Sequence, residues 1–208
     1  ELPSVRRRWV DTHGTEPTEE DVSRMFEQFV PMQEACLSDY SQLIPGTLEV
    51  VAECRKRGYK IGSTSGYLPG MLAINQADGE KQGYKPDATF GAGDVKRGRP
   101  FGHMVLRNIL ELDITPVQAV VKIDDTLTGI EEGLNAGCWA IGLAISGNEV
   151  GVQLDEWTAF SEELKQKHRD RIYPTMYQRG AHYVIDSIAD LIPCLDDIGT
   201  RLKRGERP

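Results

Sequence analysis

Residues 59–67, Tyr-Lys-Ile-Gly-Ser-Thr-Ser-Gly-Tyr, put a hydroxyl at the end of an expected strand, and residues 120–126, Val-Val-Lys-Ile-Asp-Asp-Thr, do the same with two adjacent carboxylates. The pairing points to phosphoryl chemistry. A hydroxyl can hold a phosphoryl oxygen, and neighbouring carboxylates tolerate each other best with a cation such as Mg²⁺ between them and the phosphate. Ser65 precedes Gly66, so its side chain and the adjacent backbone N–H groups can grip an anion with little steric hindrance; the competing reading is a serine that caps the following helix. Asp124 and Asp125 are a sharper signal, since a strand interior has no use for two carboxylates and a helix cap needs at most one. No aspartate nucleophile precedes these motifs on a strand of its own.

Arg99 lies on a loop with Lys96 and Arg97. It suits bidentate neutralisation of phosphoryl charge, against the plainer reading of a solvated basic cluster. His13, His103, His168 and His182 show no metal-ligand spacing and no triad order. Residues 133–137 contain two glycines but end a helix, where Gly137 is a natural left-handed stop rather than part of a dinucleotide fingerprint. Residues 147–149, Gly-Asn-Glu, read as a turn.

The elements that must position these groups alternate. Strands are expected at 59–64, 88–90, 119–123, 139–145 and 182–185, with helices at 68–82, 101–111, 128–136, 159–170 and 187–204. Such alternation predicts an α/β fold with a parallel sheet and helices on both faces, whose ligands sit beyond the carboxyl ends of the strands. Before it, Thr18 is a candidate N-cap with acids in the first turn. Val22, Met25, Phe26, Phe29 and Val30 then recur at helical spacing as a packing face, with Pro31 expected to kink or interrupt the helix. A second amphipathic stretch through Leu48, Val51, Ala52 and Cys54 is ended by Gly58. The boundary predicted near residues 43–46 gives an all-helical piece at 1–44 and an α/β core at 45–208.

A chain of 208 residues, 39% hydrophobic, can bury a real core. Its formal charge of -8 argues against nucleic acid or an anionic membrane as partner. No apolar run approaches the roughly 20 residues needed to cross a bilayer, and residues 1–8 do not read as a signal peptide, so the expected compartment is the cytoplasm. Cys36, Cys54, Cys138 and Cys194 lack any C-x-x-C spacing and read mostly as reduced core thiols.

Taken in order, the hydroxyl after a strand, the cation on a loop and the acidic pair after the next strand resemble the second, third and fourth motifs of the haloacid dehalogenase superfamily. Residues 60–67, 83–87, 94–100, 121–126, 132–137 and 180–182 are similar to the phosphonoacetaldehyde hydrolase family, and the resemblance runs through essentially the whole chain. It implies a Rossmannoid core with the remnant of a helical cap, and hydrolysis of the carbon–phosphorus bond of phosphonoacetaldehyde to acetaldehyde and phosphate. In that chemistry a cap lysine forms a Schiff base, an aspartate attacks phosphorus, Mg²⁺ spreads the charge and water releases phosphate. Position by position, Ser65 with Gly66 would contact the phosphoryl group, Arg99 would be the third-motif cation, Tyr67 would line the substrate pocket, and Asp125 with Asp124 would anchor Mg²⁺. Some members carry a second aspartate at the Gly129 position. A small-molecule phosphonate as partner and a homodimer through cap helices are further implications.

The family's nucleophile and Schiff-base lysine precede the segment matching residues 1–14. The expectation is therefore an N-terminally truncated chain, inactive as written, whose sheet lacks one strand and exposes apolar edges. Alternatives are another haloacid dehalogenase-type phosphatase or mutase, or a non-catalytic phosphate-binding domain. A phosphate-receiver domain fits poorly, because its acidic pair normally comes at the first strand rather than after the hydroxyl.

Overall fold

The computed structural model describes residues 3–208, with side chains from Val5 onward. The chain forms two compact units, one ending at Ser41 and the other covering Gln42–Pro208; the sequence places the division between residues 44 and 45.

In the first unit α1 (Pro3–His13) and α2 (Glu19–Cys36) lead into a 3-10 turn at Leu37–Tyr40. Thr18 caps α2 reciprocally: the Asp21 N–H donates to Thr18 Oγ1 at 3.1 Å, and the Thr18 N–H donates to Asp21 Oδ2 at 3.0 Å. The sequence assigned no element to α1, whose run of arginines carries no apolar period although Arg is a good helix former. Pro31 does not interrupt α2, which continues to Cys36. The Glu27 carbonyl that Pro31 cannot serve lies on an exposed residue, where water can take the lost partner's place. The predicted packing stripe contributes no buried residue. Phe26 and Phe29 are 54% and 52% exposed, because two helices and a turn offer no opposing apolar layer.

The second unit runs α3 (Thr47–Lys56), β1 (Gly62–Ser65), α4 (Pro69–Lys81), β2 (Ala88–Gly91), α5 (His103–Glu111), β3 (Val121–Asp124), α6 (Leu127–Asn135), β4 (Trp139–Leu143), α7 (Leu154–Ala159), α8 (Glu162–Gln178), β5 (Tyr183–Ile185) and α9 (Leu191–Lys203). The predicted βα alternation is present throughout. One difference is α8, which passes through Pro174 and ends at Gln178 rather than near residue 170. Gly58 and Gly137 adopt φ of 80° and 81° just past α3 and α6, where a side chain would be strained.

All ladders are parallel, but they form two groups. β1 pairs with β2, and β3 pairs with β4, which pairs with β5; among the described residues no ladder joins β1 to β3. The layers follow from strand alternation in β4. Trp139 and Ile141 point to one face, into a cluster with Val50 and Cys54 of α3 and Leu191, Leu195 and Ile198 of α9. Ala140 points to the other, with Ile130 of α6 and Ile172 and Met176 of α8. Each large apolar side chain buried this way contributes about 1.5–3 kcal/mol. At Gly142 an added Cβ would lie 2.6 Å from Met176 Sδ, so the Met176 side chain packs directly over the glycine of β4. No described helix is long and apolar enough to cross a membrane.

Candidate active site at the carboxyl ends of the strands

β3 carries charge on one face because of what faces it. Val121 and Ile123 join the apolar cluster of α3 and α9, while Lys122 and Asp124 turn towards α6. There a Cβ on Gly133 would sit 2.5 Å from Lys122 Cβ, and one on Gly129 only 2.0 Å from Asp124 Cγ. Four residues along a helix and two along a strand both advance about 6 Å. The two glycines of α6 therefore open room in step with the two charged side chains of β3.

Between those glycines Glu132 is fully buried. Its Oε2 accepts from Lys122 Nζ at 3.0 Å, from Arg99 Nε at 3.1 Å and from the Thr64 hydroxyl at 3.1 Å. Lys122 Nζ also donates to Thr64 Oγ1 at 2.6 Å and pairs with Asp124 Oδ2 at 3.0 Å. Arg99 Nη2 reaches the same Asp124 oxygen at 2.9 Å and the Thr64 carbonyl at 3.2 Å. Two cations and two carboxylates thus close a neutral box across the ends of β1 and β3, with Thr64 in its centre. Glu132 Oε1 is buried with no partner.

Asp124 is saturated. Its Oδ1 accepts from the Thr126 N–H at 2.9 Å and the Thr126 hydroxyl at 2.7 Å, while Oδ2 holds both cations. Burial pushes its carboxyl up, but Lys122, Arg99 and the Thr126 hydrogen bond outweigh that and hold it below the usual carboxylate range. Thr126 also caps α6, accepting from the Gly129 N–H at 3.0 Å. Asp125 is different. Its Oδ2 accepts from the Asn148 N–H at 3.0 Å, and Gly147 packs so closely that a Cβ there would be 2.2 Å from Asp125 Cβ. Its Oδ1 takes no hydrogen bond among the described residues.

Of the residues singled out in the sequence, Arg99 and Asp124 therefore meet directly, with Asp125 next in the chain. Ser65 stands apart from the box: its hydroxyl accepts from the Tyr67 N–H at 3.1 Å, closing its own turn, and Thr64 is the alcohol that touches Arg99. Gly66 is exposed with open space around its Cα, and Tyr67 is half-buried. Lys96 and Arg97 are exposed, Arg97 lying over the Phe101 ring. The histidines make their contacts elsewhere: His13 lies against Trp9, His103 against Phe101 and His168 against Trp157, and His182 accepts the Ala140 N–H at Nδ1. Thr64, Lys122, Glu132 and Asn148 were not selected from sequence. Lys122 had a legible signal, a lone cation inside an otherwise apolar strand that needs a buried anion.

Among the described residues no three His, Cys, Asp or Glu side chains converge into a cation site. Mg²⁺ commonly takes only one or two carboxylates and completes its shell with water and substrate phosphate. Asp125, with an open oxygen at the strand tip, fits that demand, and Asp124, with both oxygens engaged, does not.

A parallel α/β frame with this acidic pair and basic loop is matched over residues 2–137 by the family model of haloacid dehalogenase-like hydrolases. The chain is 41% identical over 205 residues to a phosphonoacetaldehyde hydrolase of Bordetella pertussis, spanning 99% of this chain and 74% of that protein. It is 42% identical over 208 residues to one of Vibrio cholerae, spanning 100% of this chain and 77% of that protein. A crystal structure of a phosphonoacetaldehyde hydrolase-like protein from Oleispira antarctica superposes with a TM-score of 0.91 at 43% identity, covering 99% of this chain and 74% of the other. The chain belongs to the phosphonoacetaldehyde hydrolase family of the haloacid dehalogenase-like hydrolases.

Proposed function

We propose that this chain carries the phosphoryl-recognising part of an enzyme that hydrolyses the carbon–phosphorus bond of phosphonoacetaldehyde to acetaldehyde and phosphate. The observation that carries this reading is Arg99, fixed by Glu132, Asp124 and the Thr64 carbonyl at the carboxyl ends of β1 and β3. A guanidinium held on several sides loses little freedom when an oxyanion arrives, and so stabilises charge developing on phosphoryl oxygens. Ser65 and Gly66 at the tip of β1 offer a hydroxyl and backbone N–H groups to the same anion, and Tyr67 a wall of the pocket. Mg²⁺ bound through Asp125 would neutralise phosphoryl charge.

The reaction also requires a lysine to form the Schiff base, which makes the departing carbon a stabilised enamine, and an aspartate to attack phosphorus. The full reaction is assigned to a protein that carries both groups together with this site. Its place is taken as the cytosol and its assembly as a homodimer. Exposed Phe26, Phe29 and Met32 on α2 support that assembly, and sedimentation equilibrium checks it.

The test is turnover of the complete protein on phosphonoacetaldehyde against sugar phosphates, with borohydride trapping. A trapped lysine and preference for the phosphonate support the proposal. Turnover of sugar phosphates with no trapped lysine transfers the site to a phosphatase or mutase. On the present chain, phosphate titration with Mg²⁺ should show binding that Arg99→Ala abolishes.

A further inference from the structure

Asp125 is held from outside its own strand. Beyond β4 the chain runs from Ala144 to Gln153 without helix or strand, and this segment reaches the carboxylate. The Asn148 N–H donates to Asp125 Oδ2 at 3.0 Å, and a Cβ on Gly147 would be 2.2 Å from Asp125 Cβ. An aspartate side chain turns about two bonds, with staggered wells about the first. Close packing at Cβ restricts the first bond, and the hydrogen bond to one oxygen restricts the second. The segment therefore decides where the open Oδ1 points.

The segment is itself tied to α8 on either side of those two residues. Before them, the Ile145 and Ser146 N–H groups both donate to the Asp186 carbonyl at 3.0 Å, just past β5. The Asp186 carboxylate takes the Arg169 guanidinium, Nη2 at 2.7 Å and Nε at 2.9 Å from Oδ2, and the Tyr173 hydroxyl at 2.9 Å on Oδ1. Arg169 and Tyr173 stand four residues apart, on one face of the helix. After them, Arg171 Nη2 donates to the Glu149 carbonyl at 2.7 Å. α8 is a firm support, because its Ile172 and Met176 are buried with Ala140 of β4 and Ile130 of α6. Polar pairs as exposed as Arg169 and Asp186 add little to stability. What they do here is fix the backbone on both sides of the contact with Asp125.

We infer that Arg169, Tyr173 and Arg171, acting through Asp186 and the Glu149 carbonyl, are positioning residues that aim Asp125 Oδ1 at a divalent cation. The inference rests on the reading of Asp125 as the Mg²⁺ anchor. Its variants are Tyr173→Phe, which keeps the ring, and Arg171→Met, on an exposed residue, with Arg171→Lys as the version that retains a donor. The first readout needs no metal. Amide hydrogen exchange on this chain should show the Asn148 amide exchanging about threefold faster or more in both variants, while the Ala140 amide, bonded to His182, is unchanged. The second readout is Mg²⁺ dependence in the protein that carries the complete reaction. The Mg²⁺ concentration for half-maximal turnover should rise about three- to tenfold, below the roughly 10–100-fold typical when a direct partner of a metal ligand is lost. Turnover at saturating Mg²⁺ and the KM for phosphonoacetaldehyde should be unchanged, and Arg171→Lys should restore the parent values. Turnover that needs no divalent cation would overturn the anchor reading, and the inference with it. Mg²⁺-dependent turnover whose half-saturation is the same in parent and variants would overturn the inference alone. So would equal acceleration of the Ala140 amide, or a loss of turnover at saturating Mg²⁺ without a shift in half-saturation, since either marks a merely structural role.

Discussion

The Asp124 carboxylate occupies the room that a side chain at Gly129 would need, its Cγ lying 2.0 Å from where that Cβ would be. Strand tip and helix are thus matched as a pair: a carboxylate at 124 requires no side chain at 129. Gly129→Ala should destabilise the chain by about 1–3 kcal/mol, the usual cost of overpacking. In an Asp124→Gly background the same change should cost much less, because the blocking carboxylate is gone. Urea unfolding of the four proteins in this cycle measures the coupling, and additive effects would show that the two positions do not compete.

The closed box of Arg99, Lys122, Asp124 and Glu132 makes a second prediction. Removing one member of a buried ion pair typically costs about 3–5 kcal/mol, because the remaining charge keeps its desolvation penalty and loses its partner. Lys122→Met and Glu132→Leu should each fall in that range by chemical denaturation. The double variant should be less destabilised than the sum, since it removes one charge of each sign and leaves Arg99 paired with Asp124. Full additivity would mean that the 3.0 Å contact between them carries no coupling energy.

The βα order was legible because its signals are local: apolar runs of strand length, capping residues such as Thr18, and left-handed stops such as Gly58 and Gly137. The acidic pair was legible because two adjacent carboxylates at a strand end have few structural uses, whereas Arg99, on a loop where charges are usually just solvated, was legible only through its order between the hydroxyl and the acidic pair. The box was not. Glu132 and Lys122 meet Thr64 only through contacts 68 and 58 residues apart in the chain, and no period in the sequence records such a meeting. Ser65 and Thr64 are adjacent hydroxyls on a strand, so one residue of register decides which reaches Arg99. The stripe on α2 was read as packing from periodicity alone, which fixes a face but not what covers it.

Thiol chemistry gives a third expected outcome. Cys138 is fully buried, and burial pushes its thiol up to about 11; burial also raises Cys54 and Cys194. Cys36 is exposed near the end of α2. The thiolate is the reactive form, so a disulfide reagent at pH 8 should label one thiol rapidly, with Cys54 and Cys138 released only on unfolding. Cys36→Ser should remove the fast phase. A fast phase that persists in this variant would mean that the buried thiols are open to solvent.

His182 ties stability to pH at the junction of β4 and β5. Its backbone N–H donates to the Ala140 carbonyl at 2.8 Å, and its ring Nδ1 accepts from the Ala140 N–H at 3.0 Å. The second bond requires a lone pair, so protonation at Nδ1 would break it. Burial, with Arg201 nearby, lowers the imidazole pKa below 6.5, and the bond accepted from the Ala140 N–H, which only the neutral ring can make, acts in the same direction. Between the lowered folded value and about 6.5 the unfolded chain binds more protons than the folded one. The contribution of His182 is therefore fully present above about pH 6.5 and is lost as pH falls towards the folded pKa. Unfolding free energy should decline over that window in the parent chain, and His182→Gln should flatten the decline at that end while leaving the steeper loss from carboxylate protonation at lower pH. An unchanged slope between pH 7 and 5.5 in the variant would assign that pH dependence to other groups.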